Sequence, residues 1–119
     1  MGMFKRFLQR LTESDENRLS EEVRTWSASV PGTVRMADCP SREKVKVAGI
    51  VRRITIQPVE GFEALQAVLY DGTGEVAVVW LGRRSIPGLF LGSKLILEGV
   101  LSADKSGVRK MVNPTFEFS

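Results

Sequence analysis

Val45-Lys-Val-Ala-Gly-Ile-Val-Arg-Arg-Ile-Thr-Ile56 is dense in β-branched residues and carries a glycine, Gly49, near its middle. Branching at Cβ suits a pleated, half-buried surface, so this stretch predicts a strand. Its length exceeds what one flat ladder needs. A glycine between Val47 and Val51 is where such a strand bulges or bends, which lets a single strand serve both halves of a small closed sheet.

Four further segments read as strands downstream: Phe62 to Tyr70, Glu75 to Leu81, Lys94 to Leu101 and Val108 to Phe118. They are punctuated by Pro58 to Gly61, by Asp71-Gly72-Thr73-Gly74, by Gly82 to Gly92 and by Ala103 to Gly107. The second of these is a tight hairpin signal. The third is the longest and contains Ile86-Pro87-Gly88-Leu89-Phe90-Leu91, an apolar stretch with a proline near its start, which predicts a short helical turn. The expected fold is therefore mainly β: a five-stranded OB-fold Greek-key barrel with its long connection between strands 3 and 4. Alternation places Leu65, Ala67, Leu69, Val76, Val78 and Trp80 inside the barrel, and Gln66, Val68, Tyr70, Ala77 and Val79 outside. Phe116 and Phe118 are expected to close the barrel or to pack on the N-terminal segment.

Upstream, Phe4, Leu8, Leu11, Leu19, Val23 and Trp26 recur at mostly helical spacing, giving an amphipathic helical segment over residues 1–30. The stripe falters at Thr12 to Asn17, where N-cap residues cluster, so one helix and two short helices fit equally. Residues 31–43 read as a linker broken by Pro31-Gly32 and Pro40, and residues 44–119 as the barrel.

Composition narrows the chemistry. The 119 residues include no histidine and one cysteine, Cys39. That removes Ser-His and Cys-His nucleophile pairs, internal disulfides and cysteine-rich metal sites. No phosphate loop ending in Gly-Lys-Ser/Thr occurs, so no enzyme, cofactor or metal is expected. Lys5, Arg6 and Arg10 break the N-terminal apolar run, and the lone thiol fits a reducing compartment, so a soluble cytoplasmic protein is expected. The net charge of +3 permits an anionic partner without requiring one.

Four motifs in order, Val47-Ala-Gly-Ile-Val51, Asp71-Gly-Thr-Gly74 leading through Val76 and Val78 to Trp80, Gly92-Ser-Lys94 leading to Leu97-Glu-Gly99, and Val112-Asn-Pro-Thr-Phe116, carry a family likeness. From about Lys44 to Phe118 the chain resembles the OB-fold wedge domain of the RecG family of bacterial junction-remodelling helicases, without the helicase motor. The resemblance implies nucleic-acid binding, in DNA recombination, repair or replication. Single-strand-binding surfaces of this kind pair basic grooves with aromatic platforms. The candidate phosphate contacts are Arg52, Arg53, Arg83, Arg84, Lys94, Arg109 and Lys110, and Tyr70 is the candidate base contact. DNA is expected over RNA, although such barrels bind either. The alternative is a protein-interaction or homo-oligomeric assembly module, using the N-terminal helix and the apolar outer face.

Overall fold

The computed structural model describes residues 17–59, 61–103 and 107–119. Phe4, Leu8 and Leu11 of the apolar stripe lie outside the described residues, as does the question of one helix or two. A helix, α1, covers residues 17–29, and a single 3-10 turn follows at Met36–Asp38. The strands are β1 (Lys44–Val59), β2 (Phe62–Tyr70), β3 (Glu75–Leu81), β4 (Lys94–Ala103), β5 (Arg109–Val112) and β6 (Thr115–Phe118). None of the described helices is long and apolar enough to cross a membrane.

The chain is mainly β, and five of its strands form a closed sheet. The order runs β1-β2-β3-β5-β4, and β4 pairs back onto β1. All pairings are antiparallel except β3 with β5. Closure depends on β1 having two partners. Its first half, Lys44 to Ile50, pairs with β4, and its second half, Ile50 to Val59, pairs with β2. The change of partner falls at Gly49, where a Cβ would lie 2.7 Å from Met36 Cε and 2.9 Å from the Tyr70 carbonyl oxygen. Only glycine leaves room there for both neighbours. A bulge between Val51 and Arg53 then adds the twist that carries the strand across.

The inward residues are those the alternation predicts: Leu65, Ala67, Leu69, Val76, Val78 and Trp80 are all buried in one cluster with Val47, Leu95, Leu97, Leu101 and Met111. Val79, expected outside, does sit on the outer face by register and outside that cluster, yet is only 2% exposed. Its row neighbours there are Gln66 and Val112.

Two expectations are corrected. The stretch Ile86–Leu91 forms two tight turns, closed by Leu89 N to Ile86 O (3.1 Å) and Ser93 N to Phe90 O (3.0 Å). Gly88 (φ 87°) and Gly92 (φ 88°) adopt positive φ, which a right-handed helix forbids, and Pro87 precedes the first as a type II turn prefers. These turns bury Ile86 and Leu89 against the core. The predicted fifth strand, Val108 to Phe118, is divided into β5 and β6 at Asn113-Pro114. Asn113 has φ 50° and Pro114 has no N–H to give to a ladder, so the pairing with β4 slips by one residue. Gly99 accommodates the break, since a Cβ there would lie 3.1 Å from Pro114 Cβ. Asn113 partly repairs the ladder: its N–H donates to Val79 O at 2.7 Å, and its Oδ1 accepts from Leu81 N at 2.9 Å.

The segment before β1 is tied to the sheet by one carboxylate. Asp71, 2% exposed, accepts at Oδ1 from Thr73 N (2.8 Å), Thr73 Oγ1 (2.6 Å) and Gly74 N (3.1 Å), which shapes the β2–β3 turn. Its Oδ2 accepts from Met36 N at 2.8 Å, which fixes the 3-10 turn and delivers the fully buried Met36 side chain into the core. Burial of such a side chain contributes about 1.5–3 kcal/mol. Helix α1 then docks on the same turn through Val23 and Ser27, both buried. Gly72 (φ 88°) permits the approach, as a Cβ there would fall 2.7 Å from Ser20 O.

Two measurements check these assignments. Asp71→Ala removes acceptors from four donors, so it is expected to lower unfolding free energy by about 3 kcal/mol in urea titration. A loss inside the ±0.5 kcal/mol typical of surface substitutions would remove Asp71 from this role. The Cys39 thiol, 8% exposed, has its pKa pushed up by burial, reinforced by Asp71 and Asp38 and opposed by Arg109. Alkylation by iodoacetamide at pH 8 is therefore expected to be slow in the folded protein and to reach the free-thiol rate in denaturant. The linked stability is fully present below the unfolded thiol pKa, and is lost as pH rises through the higher folded value.

Candidate nucleic-acid interface

The outer face of β1, β2, β3 and β5 is organised in cross-strand rows. Arg53 pairs with Val68, Val68 with Ala77, and Ala77 with Lys110. The row thus has a cation at each end and a short apolar floor between them. Three inter-strand steps span about 14 Å. The next row runs Thr55, Gln66, Val79 and Val112, and the one beyond it Gln57, Ala64 and Leu81. A shallow groove of about 210 Å³ lies along these rows, lined by Arg53, Thr55, Gln57, Gln66, Val68 and Ala77.

An aromatic residue stands towards either end of this track. Phe62, at the start of β2, has the outward parity of Gln66 and Val68 and is 68% exposed. From the Arg53 row to Phe62 is six residues of strand, about 20 Å. At the other end, Tyr70 pairs with Glu75 beside the Arg53 row. The Arg52 guanidinium lies 4.3 Å from the Tyr70 ring centroid and donates to Glu75 Oε1 at 3.0 Å. The Tyr70 hydroxyl is hydrogen-bonded to Ser20 Oγ of α1 at 2.6 Å. One face of the ring is therefore covered by a cation and its polar tip is engaged by the helix.

The basic pairs of the sequence do not form a single patch. Arg53 and Lys110 share the row described above, and neither has an ion-pair partner among the described residues. Arg52 is the partner of Glu75 and Tyr70. Arg83 and Arg84 are exposed just beyond β3, with Arg84 Nε 3.1 Å from Glu63 Oε2, next to Phe62. Lys94 lies on the α1 side, its Nζ 5.2 Å from the Trp26 ring centroid. Arg109 reaches the segment before β1, where its Nη2 donates to Ala37 O at 2.9 Å.

Phe62, Thr55, Gln57 and Gln66 are surface residues of this face that were not among the sequence candidates for binding. Alternation from Leu65 already turns Phe62 and Gln66 outward, so that signal was present. Thr55 lay within the predicted first strand, whereas Gln57 joined the face only because β1 runs on to Val59. Among the described residues, no three His, Cys, Asp or Glu side chains gather as a metal site would require.

Comparison with solved structures places the fold. A structure of RecG bound to a three-way DNA junction superimposes with a TM-score of 0.60 at 20% sequence identity. The match covers 73% of this chain and 12% of the RecG chain, so this chain corresponds to a small part of that protein's length. No protein-family model matches the sequence, and no curated protein does. The chain is thus similar in fold to a part of RecG.

Proposed function

We propose that this chain is a non-catalytic OB-fold module that binds nucleic acid, DNA in preference to RNA, along the outer face of β1, β2, β3 and β5. The observation that carries the proposal is the row Arg53–Val68–Ala77–Lys110, continued by polar Thr55, Gln57 and Gln66 to the exposed ring of Phe62. The closed strand order β1-β2-β3-β5-β4-β1 supports reading the sheet as a five-stranded Greek-key barrel, and in such barrels this face and its flanking loops take oligonucleotides. The two cations, without an ion-pair partner among the described residues, supply backbone charge contacts. Phe62 supplies a stacking platform at the hairpin tip, with Arg83 and Arg84 beside it. Single-stranded or junction DNA fits this arrangement, in recombination, repair or replication, because an exposed ring stacks only on an unpaired or splayed base.

A protein-assembly role is favoured by a different observation: Phe90 and Leu91 are each 69% exposed at the tip of the β3–β4 connection. The helix supports that reading less, since it buries Val23 on its own barrel. Light scattering in the presence and absence of DNA separates the two, an oligomer indifferent to DNA favouring assembly.

Fluorescence anisotropy with labelled single-stranded, duplex and forked oligonucleotides at low salt tests the main proposal. Arg53→Ala and Lys110→Ala are each expected to weaken binding uniformly across sequences and to lower the salt slope by about 1. Phe62→Ala is expected to cost about 1–3 kcal/mol with single strands and to leave duplex binding unchanged. The absence of salt-sensitive binding to every oligonucleotide would sink the proposal.

A further inference from the structure

The β2–β3 turn gathers two guanidinium groups from opposite ends of the chain. Arg24 of α1 donates from Nη2 to Gly72 O at 2.9 Å. Arg109 of β5 donates from Nη2 to Ala37 O at 2.9 Å, and its Nη1 passes 3.5 Å from where a Cβ on Gly74 would stand. Gly72 and Gly74 are two residues apart, so the turn positions they flank are at most about 7 Å from each other. Both glycines let side chains come against the turn backbone: Arg24 Cβ would be 2.9 Å from a Cβ at position 72.

Among the described residues, no carboxylate pairs with either Arg24 or Arg109. The neighbouring carboxylates are occupied: Asp71 is buried and filled by four donors, Asp38 is held by Arg35 at 2.7 Å, and Glu75 is held by Arg52. Glu21 and Glu22 are exposed on α1 and make no ion pair with Arg24. Each guanidinium is steadied by one neutral carbonyl and keeps further N–H groups of its rigid fork for an outside acceptor. Such a fork matches the two oxygens of a phosphate. Lys110, the next residue along β5, opens directly onto the Arg53 row.

We propose that the Arg24–Arg109 pair at the β2–β3 turn holds a backbone phosphate of the bound nucleic acid, so that α1 is a working part of the interface. The inference rests on the nucleic-acid reading above and extends it to a second, purely electrostatic contact beyond the Tyr70 end of the groove.

The test uses the full chain with the same single-stranded, duplex and forked oligonucleotides, measuring affinity against salt concentration. Arg24→Gln and Arg109→Gln remove the charge and the guanidinium fork while leaving a shorter, neutral polar side chain. The double variant is expected to lose one phosphate's worth of salt slope, about 0.7 for single strands or about 0.9 for duplex. Arg24→Lys, which keeps the charge, is expected to retain the wild-type slope. Lys46→Gln, between β4 and the segment before β1, is the control and should leave the slope unchanged. A wild-type slope in the double variant overturns the inference while leaving the nucleic-acid reading intact. Tighter binding by Arg24→Gln overturns it too, because α1 would then be covering the surface. A wild-type chain that binds none of the oligonucleotides fails the underlying reading and this inference with it.

Discussion

The Asp71 carboxylate is the constraint on which the rest of the arrangement depends. A buried carboxylate is costly unless its lone pairs are met, and here four donors meet them. Three of those donors belong to the turn that follows, and the fourth is the Met36 amide of the 3-10 turn before β1. One side chain therefore shapes the hairpin, anchors the segment before β1 and positions the residue that fills the core under Gly49. The helix docks on that same turn, so the placement of Arg24, Ser20 and, through Ser20, Tyr70 follows from it. The shape of the fold and one end of the candidate surface have a common origin.

The wish of the closed sheet to bury its interior leaves the outer face to be decided by other forces. Its floor of Val68, Ala77 and Val79 is apolar, and its walls are cations and amides. A floor of this kind excludes water without competing for hydrogen bonds, while charge at the edges acts at longer range. The division suits a flexible polyanion better than a compact solute: charge sits at the margins, and no deep cavity is required.

Much of the fold was legible because alternation and turn chemistry are local. Inward Leu65, Ala67 and Leu69, the Asp71–Gly74 turn and the bend at Gly49 could all be read from neighbours in sequence. The misreadings have local causes as well. At Ile86–Leu91 the apolar content suggested a helical turn, but Gly88 and Gly92 commit the backbone to positive φ. At Asn113-Pro114 a strand pattern concealed a missing donor. The candidate site was less legible because it depends on register across strands. Arg53 and Lys110 are 57 positions apart and become row partners only through Val68 and Ala77. Tyr70 was rightly placed on the outer face, yet its pairing with Arg52 and Ser20 comes from a bulge and a helix that alternation does not describe.

The double duty of β1 also bears on how the chain reaches its fold. β1, β2 and β3 form a meander of near neighbours, whereas β1 and β4 join the most distant partners in the sequence, so loop closure is entropically costliest there. Until β4 arrives, the first half of β1 is an unprotected edge rich in valine. Lys44 and Lys46 stand on that half, and lysines on an edge discourage pairing with a strand of another molecule.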